Sequence, residues 1–164
     1  MQSKLIAIVM LATTVASHLL VNQAVARDFS TTCTSYYLQG TVLKATCMTS
    51  QACSPLKDMH CYCNLKTAKC HIGKDVSFDL NNGISDNNGS LQFHGADFGA
   101  SCNSLSLTET GKFFPSDNSY YPTDTCALKA LCKGKYKSLP IYKPTVLDLN
   151  QGISNLEGSL VFDP

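Results

Sequence analysis

A fifteen-residue stretch occurs twice in this chain and constrains what the chain can fold into. Residues 79–93 read DLNNGISDNNGSLQF and residues 148–162 read DLNQGISNLEGSLVF, identical at ten of fifteen positions with an offset of 69. Self-similarity this dense means a fold assembled from a repeated supersecondary unit. Each copy reads as a strand end, a turn, a short helical or irregular stretch, then a second turn and strand. Val76, Phe78 and Leu80 alternate with polar residues at period two. Asn82-Gly83 and Asn88-Gly89 are turn signals, because glycine reaches positive φ without steric cost. Alternation resumes at Ser90-Leu91-Gln92-Phe93 and is matched by Ser159-Leu160-Val161-Phe162. The Leu, Ile and Phe positions of both copies are expected in the core.

The duplication extends upstream. Phe29-x-x-x-Cys33 parallels Phe98-x-x-x-Cys102, and Leu38 parallels Leu107, at the same offset. Leu43-Lys-Ala-Thr-Cys47 parallels Leu128-Lys-Ala-Leu-Cys132 at an offset of 85. The second repeat (98–164) therefore carries an insertion over 108–127, and the first repeat (28–97) a compensating one over 48–75. Residues 36–39 and 41–47 read as two strands joined around Gly40 and clipped by Cys33 and Cys47. A clip around roughly fifteen residues contributes on the order of 3 kcal/mol in the chain-entropy model. Cys102 and Cys132 would clip the second hairpin across its longer loop. Segment 48–75 is polar, cysteine-dense and poor in apolar period, which predicts a stapled loop. Short strands with regular turn signals predict an all-β domain with internal pseudo-symmetry.

Residues 1–26 read as a signal peptide: a basic start with Lys4, an apolar run from Leu5 to Val21, and Ala24-Val25-Ala26 as the cleavage motif. The remaining 27–164 are enough for one domain. That part carries 12 Lys and Arg against 12 Asp and Glu, a balance that argues against nucleic acid or an anionic membrane held by bulk charge. All nine cysteines lie beyond the leader, which predicts a secreted, extracellular chain with a disulfide framework. Nine is odd. A monomer is expected, with a covalent dimer through the odd cysteine as the alternative. Cys53, Cys61, Cys63, Cys70 and Cys126 fall in the insertions; Cys53 with Cys61 and Cys63 with Cys70 is one pairing among several that the sequence leaves open.

The ordered motifs F-x-x-x-C, L-x-x-x-C, D-L-N and G-S-L occur in both halves, with L-x-G at Leu38-Gln39-Gly40 in the first and I-x-N at Ile153-Ser154-Asn155 in the second. Together they resemble the cyanovirin-N homology family, a family of mannose lectins. The resemblance implies an elongated, disulfide-stapled, pseudo-two-fold monomer of intertwined repeats, each half with a three-stranded sheet and a hairpin. It also implies binding of mannose-rich oligosaccharides at one or two sites, without catalysis, metal or cofactor. Carried over by position, one site would draw on Asp28, Thr31, Thr32, Met48, Ser50, Asn155, Leu156 and Glu157. The other, preferred, would draw on Ser85, Asp86, Asn87, Asn88, Asp97, Ser101, Gly134 and Lys135, with Ala96 and Ala100 beside them. Short, stiffly held donors and acceptors suit the vicinal hydroxyls of a neutral sugar, each hydrogen bond netting about 0.5–1.5 kcal/mol. Met48 stands where the family has a polar residue, and the insertion begins there, so the first site is expected to be covered or rebuilt.

Five further features carry competing readings. Asn88-Gly89-Ser90 is an N-glycosylation sequon inside the preferred site; the tight turn is expected to leave it unmodified. His60-Cys61-Tyr62-Cys63 with Cys70-His71 has zinc-ligand character, but disulfides are favoured in a secreted chain. Phe113, Phe114, Tyr120, Tyr121 and Tyr136 offer a sugar-stacking platform or a loop folded over its own rings. Outside the leader only His60, His71 and His94 could serve as bases, and none lies in a nucleophile motif. Asp79 and Asp148 are expected to accept backbone N–H bonds. The rival reading of function is a secreted cysteine-rich interaction protein, with the lectin fold as scaffold and the inserted loops contacting a protein partner.

Overall fold

The computed structural model describes residues 29–108, 112–114, 116, 118–121 and 125–164; the leader and Asp28 lie outside them. After a single helical turn at Phe29–Thr32, the first repeat pairs β1 (Cys33–Gln39) with β2 (Val42–Ala52), and β2 with β4 (Lys69–Asp79), all antiparallel. A 3₁₀ turn at Leu80–Asn82 then leads into the hairpin of β5 (Ile84–Asp86) and β6 (Leu91–Phe93). The second repeat has the same plan. A sheet of β7 (Cys102–Leu107), β10 (Ala127–Tyr136) and β11 (Leu139–Asp148) is followed by a 3₁₀ turn at Leu149–Gln151 and the hairpin of β12 (Ile153–Leu156) with β13 (Ser159–Phe162). Asp79 and Asp148 cap the two 3₁₀ turns, accepting the N–H of Asn81 at 3.0 Å and of Asn150 at 3.1 Å.

The duplication holds at the level of backbone detail. In each half one strand carries a β-bulge, between Thr34 and Tyr37 in β1 and opposite Lys129 to Leu131 in β7. The bulged serines Ser35 and Ser104 share the same left-handed φ of 54°. The core is duplicated residue by residue as well. Phe29 and Phe98, Leu43 and Leu128, Leu80 and Leu149, Ile84 and Ile153, and Leu91 and Leu160 all join one buried cluster.

Contacts between the repeats are reciprocal. Asn81 Oδ1 accepts the Gly99 N–H at 2.9 Å, and Asn150 Oδ1 accepts the Ser30 N–H at 3.2 Å. A Cβ built on Gly83 would lie 2.5 Å from the ring of Phe162, and one on Gly152 would lie 2.7 Å from the ring of Phe93. Each repeat's glycine is thus the seat for the other repeat's terminal phenylalanine. The hairpins are exchanged in the same sense: β6 sits against β11, where the Leu91 N–H donates to Thr145 Oγ1 at 3.1 Å, while β13 sits against β4.

The insertions depart from expectation. Segment 48–75 is not a loop. It lengthens β2 and β4 and adds β3 (Cys61–Asn64), stapled by Cys53–Cys61 and Cys63–Cys70. Its strands lack an apolar period because their faces are mostly half-exposed or exposed, so disulfides and ladder bonds stand in for a buried face. The second insertion contributes β8 (Lys112–Phe114) and β9 (Ser119–Tyr121), and β9 pairs in parallel with β3. The two insertions therefore meet in one six-stranded sheet of order β1-β2-β4-β3-β9-β8. Phe113, Phe114, Tyr120 and Tyr121 lie on β8 and β9; their side chains lie outside the described residues. Tyr136 is 62 % exposed rather than folded over its own loop.

Cys33–Cys47 and Cys102–Cys132 close as the resemblance implies. With the inserted pairs also closed, the thiols a zinc cluster would need there are spent in disulfides. The ninth cysteine, Cys126, is fully buried. It sits at the position of Thr41 in the first repeat: Leu149 N donates to Cys126 O at 2.8 Å as Leu80 N donates to Thr41 O at 3.1 Å. That burial argues against the covalent-dimer alternative, since a thiol with no exposed surface is not placed to reach a second chain. Among the described residues no helix is long and apolar enough to cross a membrane.

Candidate functional site

The turn joining β5 to β6 is built by its own side chains. Asp86 Oδ1 accepts the Gly89 N–H at 2.7 Å, Asn88 holds φ of 52° and Gly89 φ of 89°. The turn is pinned to the second sheet from outside: Asn88 Oδ1 accepts the Lys135 N–H at 2.7 Å, and Lys143 Nζ donates to Asn88 O at 3.2 Å. Close approach requires Gly134, where a Cβ would come 2.7 Å from Asn88 O. Ser101 approaches β10 through its carbonyl, which accepts the Lys133 N–H at 2.9 Å, while its hydroxyl donates to Phe98 O at 3.3 Å.

Between turn and strand lies an open cleft of about 560 Å³ lined by Asp86, Asn88, Ser101, Lys133, Gly134, Lys135 and Pro140. Five positions carried over from the family are thereby brought together: Asp86, Asn88, Ser101, Gly134 and Lys135. Ser85, Asn87, Ala96, Asp97 and Ala100 are not on the lining. Ser85 Oγ accepts from Gln92 Nε2 at 3.4 Å, Asn87 Nδ2 donates to Gln92 Oε1 at 3.4 Å, and Asp97 starts a 3₁₀ turn with φ of 62° and no side-chain capping bond. Lys133 and Pro140 are lining residues that the sequence reading missed. The alternation of β10 could have revealed Lys133, which stands two residues before Lys135 on the same side of the strand.

The other set occupies the equivalent place in the second hairpin, and the same device recurs. Asn155 Oδ1 accepts the Gly158 N–H at 2.9 Å, as Asp86 does for Gly89. Glu157 repeats the left-handed φ of 52°, and its Oε2 accepts the Ser50 N–H at 3.0 Å, as Asn88 does for Lys135. Lys74 Nζ donates to Glu157 O at 3.3 Å, as Lys143 does to Asn88. Two extra contacts and one larger side chain distinguish this version. Ser50 Oγ donates to the same Glu157 oxygen at 2.8 Å, Asn155 Nδ2 donates to Met48 O at 2.8 Å, and Thr49 stands where the other half has Gly134. Met48, the counterpart of Lys133, is buried. Thr32 Oγ1 donates to Phe29 O at 3.3 Å within the helical turn that also holds Thr31, and Leu156 is half-exposed at the hairpin tip.

Glu157 also makes a pH prediction. The two Ser50 bonds, backbone first and hydroxyl second, hold its carboxyl below the usual glutamate range, with Lys74 adding to them. A lowered folded pKa means that the contact is in place above the ordinary range and is lost as pH falls through the lowered value. A carboxyl-detected NMR titration should show a Glu157 midpoint below that of an unstructured glutamate, moving back upward in Ser50→Ala. A midpoint at or above the unstructured value contradicts the contact.

Architecture and paired hairpin turns define a pseudo-two-fold all-β domain of the lectin type, and a family model described as the CVNH domain matches residues 53–161. The chain belongs to the CVNH family, and that membership supports carbohydrate binding by this domain. Among solved structures, the NMR structure of GzCVNH from Gibberella zeae is 19 % identical, covering 82 % of this chain and 95 % of that one with a TM-score of 0.53. A designed cyanovirin-N homolog lectin, LKAMG, is 17 % identical over 83 % of this chain and 99 % of its own, with a TM-score of 0.52. A MoCVNH3 variant solved in complex with (N-GlcNAc)4 is 14 % identical over 84 % and 98 %, with a TM-score of 0.52. At these identities the likeness is one of fold. No curated protein matches the sequence.

Proposed function

We propose that this chain is a secreted lectin that binds mannose-rich oligosaccharides, without catalysis, in the cleft between the 86–89 turn and β10. The observation that carries the reading is the convergence of Asp86, Asn88, Ser101, Gly134 and Lys135 on one open cleft, beside a second hairpin whose counterpart groups are spent on each other. Backbone and side-chain groups fixed by the turn suit a hydroxyl-rich ligand, because those groups need no further ordering on binding. Four disulfides support action outside the cell.

A glycan array of the oxidised chain tests this reading. Mannose-rich binding should fall at least about tenfold in an Asp86→Ala/Asn88→Ala variant, the loss of one or two hydrogen bonds to the ligand, and persist in Asn155→Ala. Equal loss in both variants, or no mannose-rich binding by folded protein, would overturn it.

One observation favours the protein-partner reading. Leu56 and Met59 are 96 % and 86 % exposed on the disulfide-closed loop between Cys53 and Cys61. A lectin loses its captured partner in excess mannan; a scaffold bound through Leu56 and Met59 keeps it.

A further inference from the structure

The outer face of the first sheet carries a groove that neither hairpin site uses. The bulge at Ser35 sends Tyr36 into the core and leaves Tyr37 58 % exposed on the outer face. The register aligns Tyr37 with Lys44 and Lys44 with Ser77, and on the next rung Thr46 with Asp75. Within these rungs Lys44 Nζ donates to Ser77 Oγ at 2.6 Å and Thr46 Oγ1 donates to Asp75 Oδ1 at 2.7 Å. These side chains line an open groove of about 400 Å³, with Ser35 and Gln39 at one side.

The duplication supplies an internal control. The second sheet is built on the same bulge and register, but there the rungs are Ser106, Lys129 and Val146, then Leu131 and Pro144. Tyrosine, threonine, aspartate and the second serine have been replaced, so the fold itself does not require them. What distinguishes the first sheet is a set of polar groups tied to each other in fixed positions beside an exposed ring.

We infer that this groove is a second saccharide site, for a neutral oligosaccharide of pyranoses with equatorial hydroxyls. Lys44 and Asp75 balance in charge, so the groove selects for neither an anion nor a cation. A tyrosine ring offers an apolar face with a polar tip, and a pyranose with equatorial hydroxyls has apolar C–H faces and a hydroxyl rim. The rim meets Lys44, Ser77, Thr46 and Asp75, whose mutual bonds leave further lone pairs and N–H groups unspent. Because the lining rests on three paired strands rather than on a loop, its geometry is set before the ligand arrives. The groove shares no residue with the 86–89 cleft, so the two sites stand or fall separately.

The test is an amide-detected NMR titration of the oxidised, isotope-labelled chain with cellotetraose. Saturable shifts are expected at Tyr37, Lys44, Thr46, Asp75 and Ser77. Binding should weaken about tenfold in Tyr37→Ala, and several-fold in Asp75→Asn. Tyr37→Phe, which keeps the ring, should bind more tightly than Tyr37→Ala, and Asp86→Ala/Asn88→Ala, which touches only the other cleft, should leave binding in this groove as it is. Both Tyr37 and Asp75 are exposed, so each single variant should keep the parent spectrum away from the groove. No saturable shift, shifts confined to residues 86–89 and 133–135, or unaltered binding by Tyr37→Ala would each overturn the inference.

Discussion

Gly83→Ala and Gly152→Ala should each lower stability by about 1–3 kcal/mol, the usual range for overpacking a filled site. Neither glycine is there for its backbone freedom: their φ values of −147° and −146° are open to any residue. The constraint is the ring that lies on each, Phe162 on Gly83 and Phe93 on Gly152. Phe162 is also held from its other side by Phe78, with ring centroids 4.6 Å apart, so it has little room to retreat. Because each contact joins one repeat to the other, the damage falls on the junction between halves rather than inside one of them. Urea melts of both variants, read against Gly83→Ala/Phe162→Leu, check the account. The smaller side chain should recover part of the loss, giving a coupling energy of about 0.5–3 kcal/mol. Fully additive losses would mean that the glycine and the ring act independently.

Removing the second repeat's disulfide should be costlier. Cys102 and Cys132 are 30 residues apart and Cys33 and Cys47 only 14, so the chain-entropy model gives about 3.6 and about 3 kcal/mol respectively. Both pairs occupy equivalent places in equivalent sheets, with Cys33 opposite Cys47 and Cys132 opposite Cys102. Native-state surroundings are therefore closely matched, and the difference between the two serine double variants isolates the loop-length effect. Against a total stability on the order of 5–15 kcal/mol, losing both should leave little folded protein at physiological temperature. Denaturation of each serine double variant gives the comparison; a larger loss for Cys33 and Cys47 would contradict it.

Legibility in the sequence followed the duplication. Leu80, Ile84 and Leu91 and their second-repeat counterparts Leu149, Ile153 and Leu160 were recognisable as core because each apolar position is written twice at one offset. The turn at Asn88-Gly89 was legible through its glycine, which takes φ of 89°, whereas Gly83 holds φ of −147° and does not use the freedom that marked Asn82-Gly83 as a turn. What stayed hidden depends on contacts between segments distant in the chain. Phe93 and Phe162 read as ordinary core residues, and nothing in either copy says that each lies on the other copy's glycine. The parallel pairing of β3 with β9 joins Cys63 to Ser119, and no local periodicity encodes such a partnership. Cys126 was misplaced for a different reason. The offset of 85 already aligned it with Thr41, but as a cysteine beside an insertion it read as part of the cross-linked loops.

The two hairpin sites show the same division. Met48 flagged the first as altered, since an apolar residue at a polar position can be seen by comparison with a family pattern. That Glu157 and Ser50 would satisfy one another could not be seen, because they lie 107 residues apart. In the second site Asp86, Asn88, Gly134 and Lys135 were placed by resemblance alone. Gly134 earns a physical reason only in three dimensions, where the Asn88 carbonyl occupies the space a side chain would take.

The central claim, that the 86–89 turn and β10 form a glycan-binding cleft, is tested most directly by titrating the isotope-labelled oxidised chain with a mannose-rich oligosaccharide. Saturable amide shifts at Asn88, Gly89, Gly134 and Lys135, with the equivalent Glu157, Gly158, Thr49 and Ser50 unmoved, are the expected result. Shifts at the second group instead, or none anywhere in a folded chain, would contradict the claim.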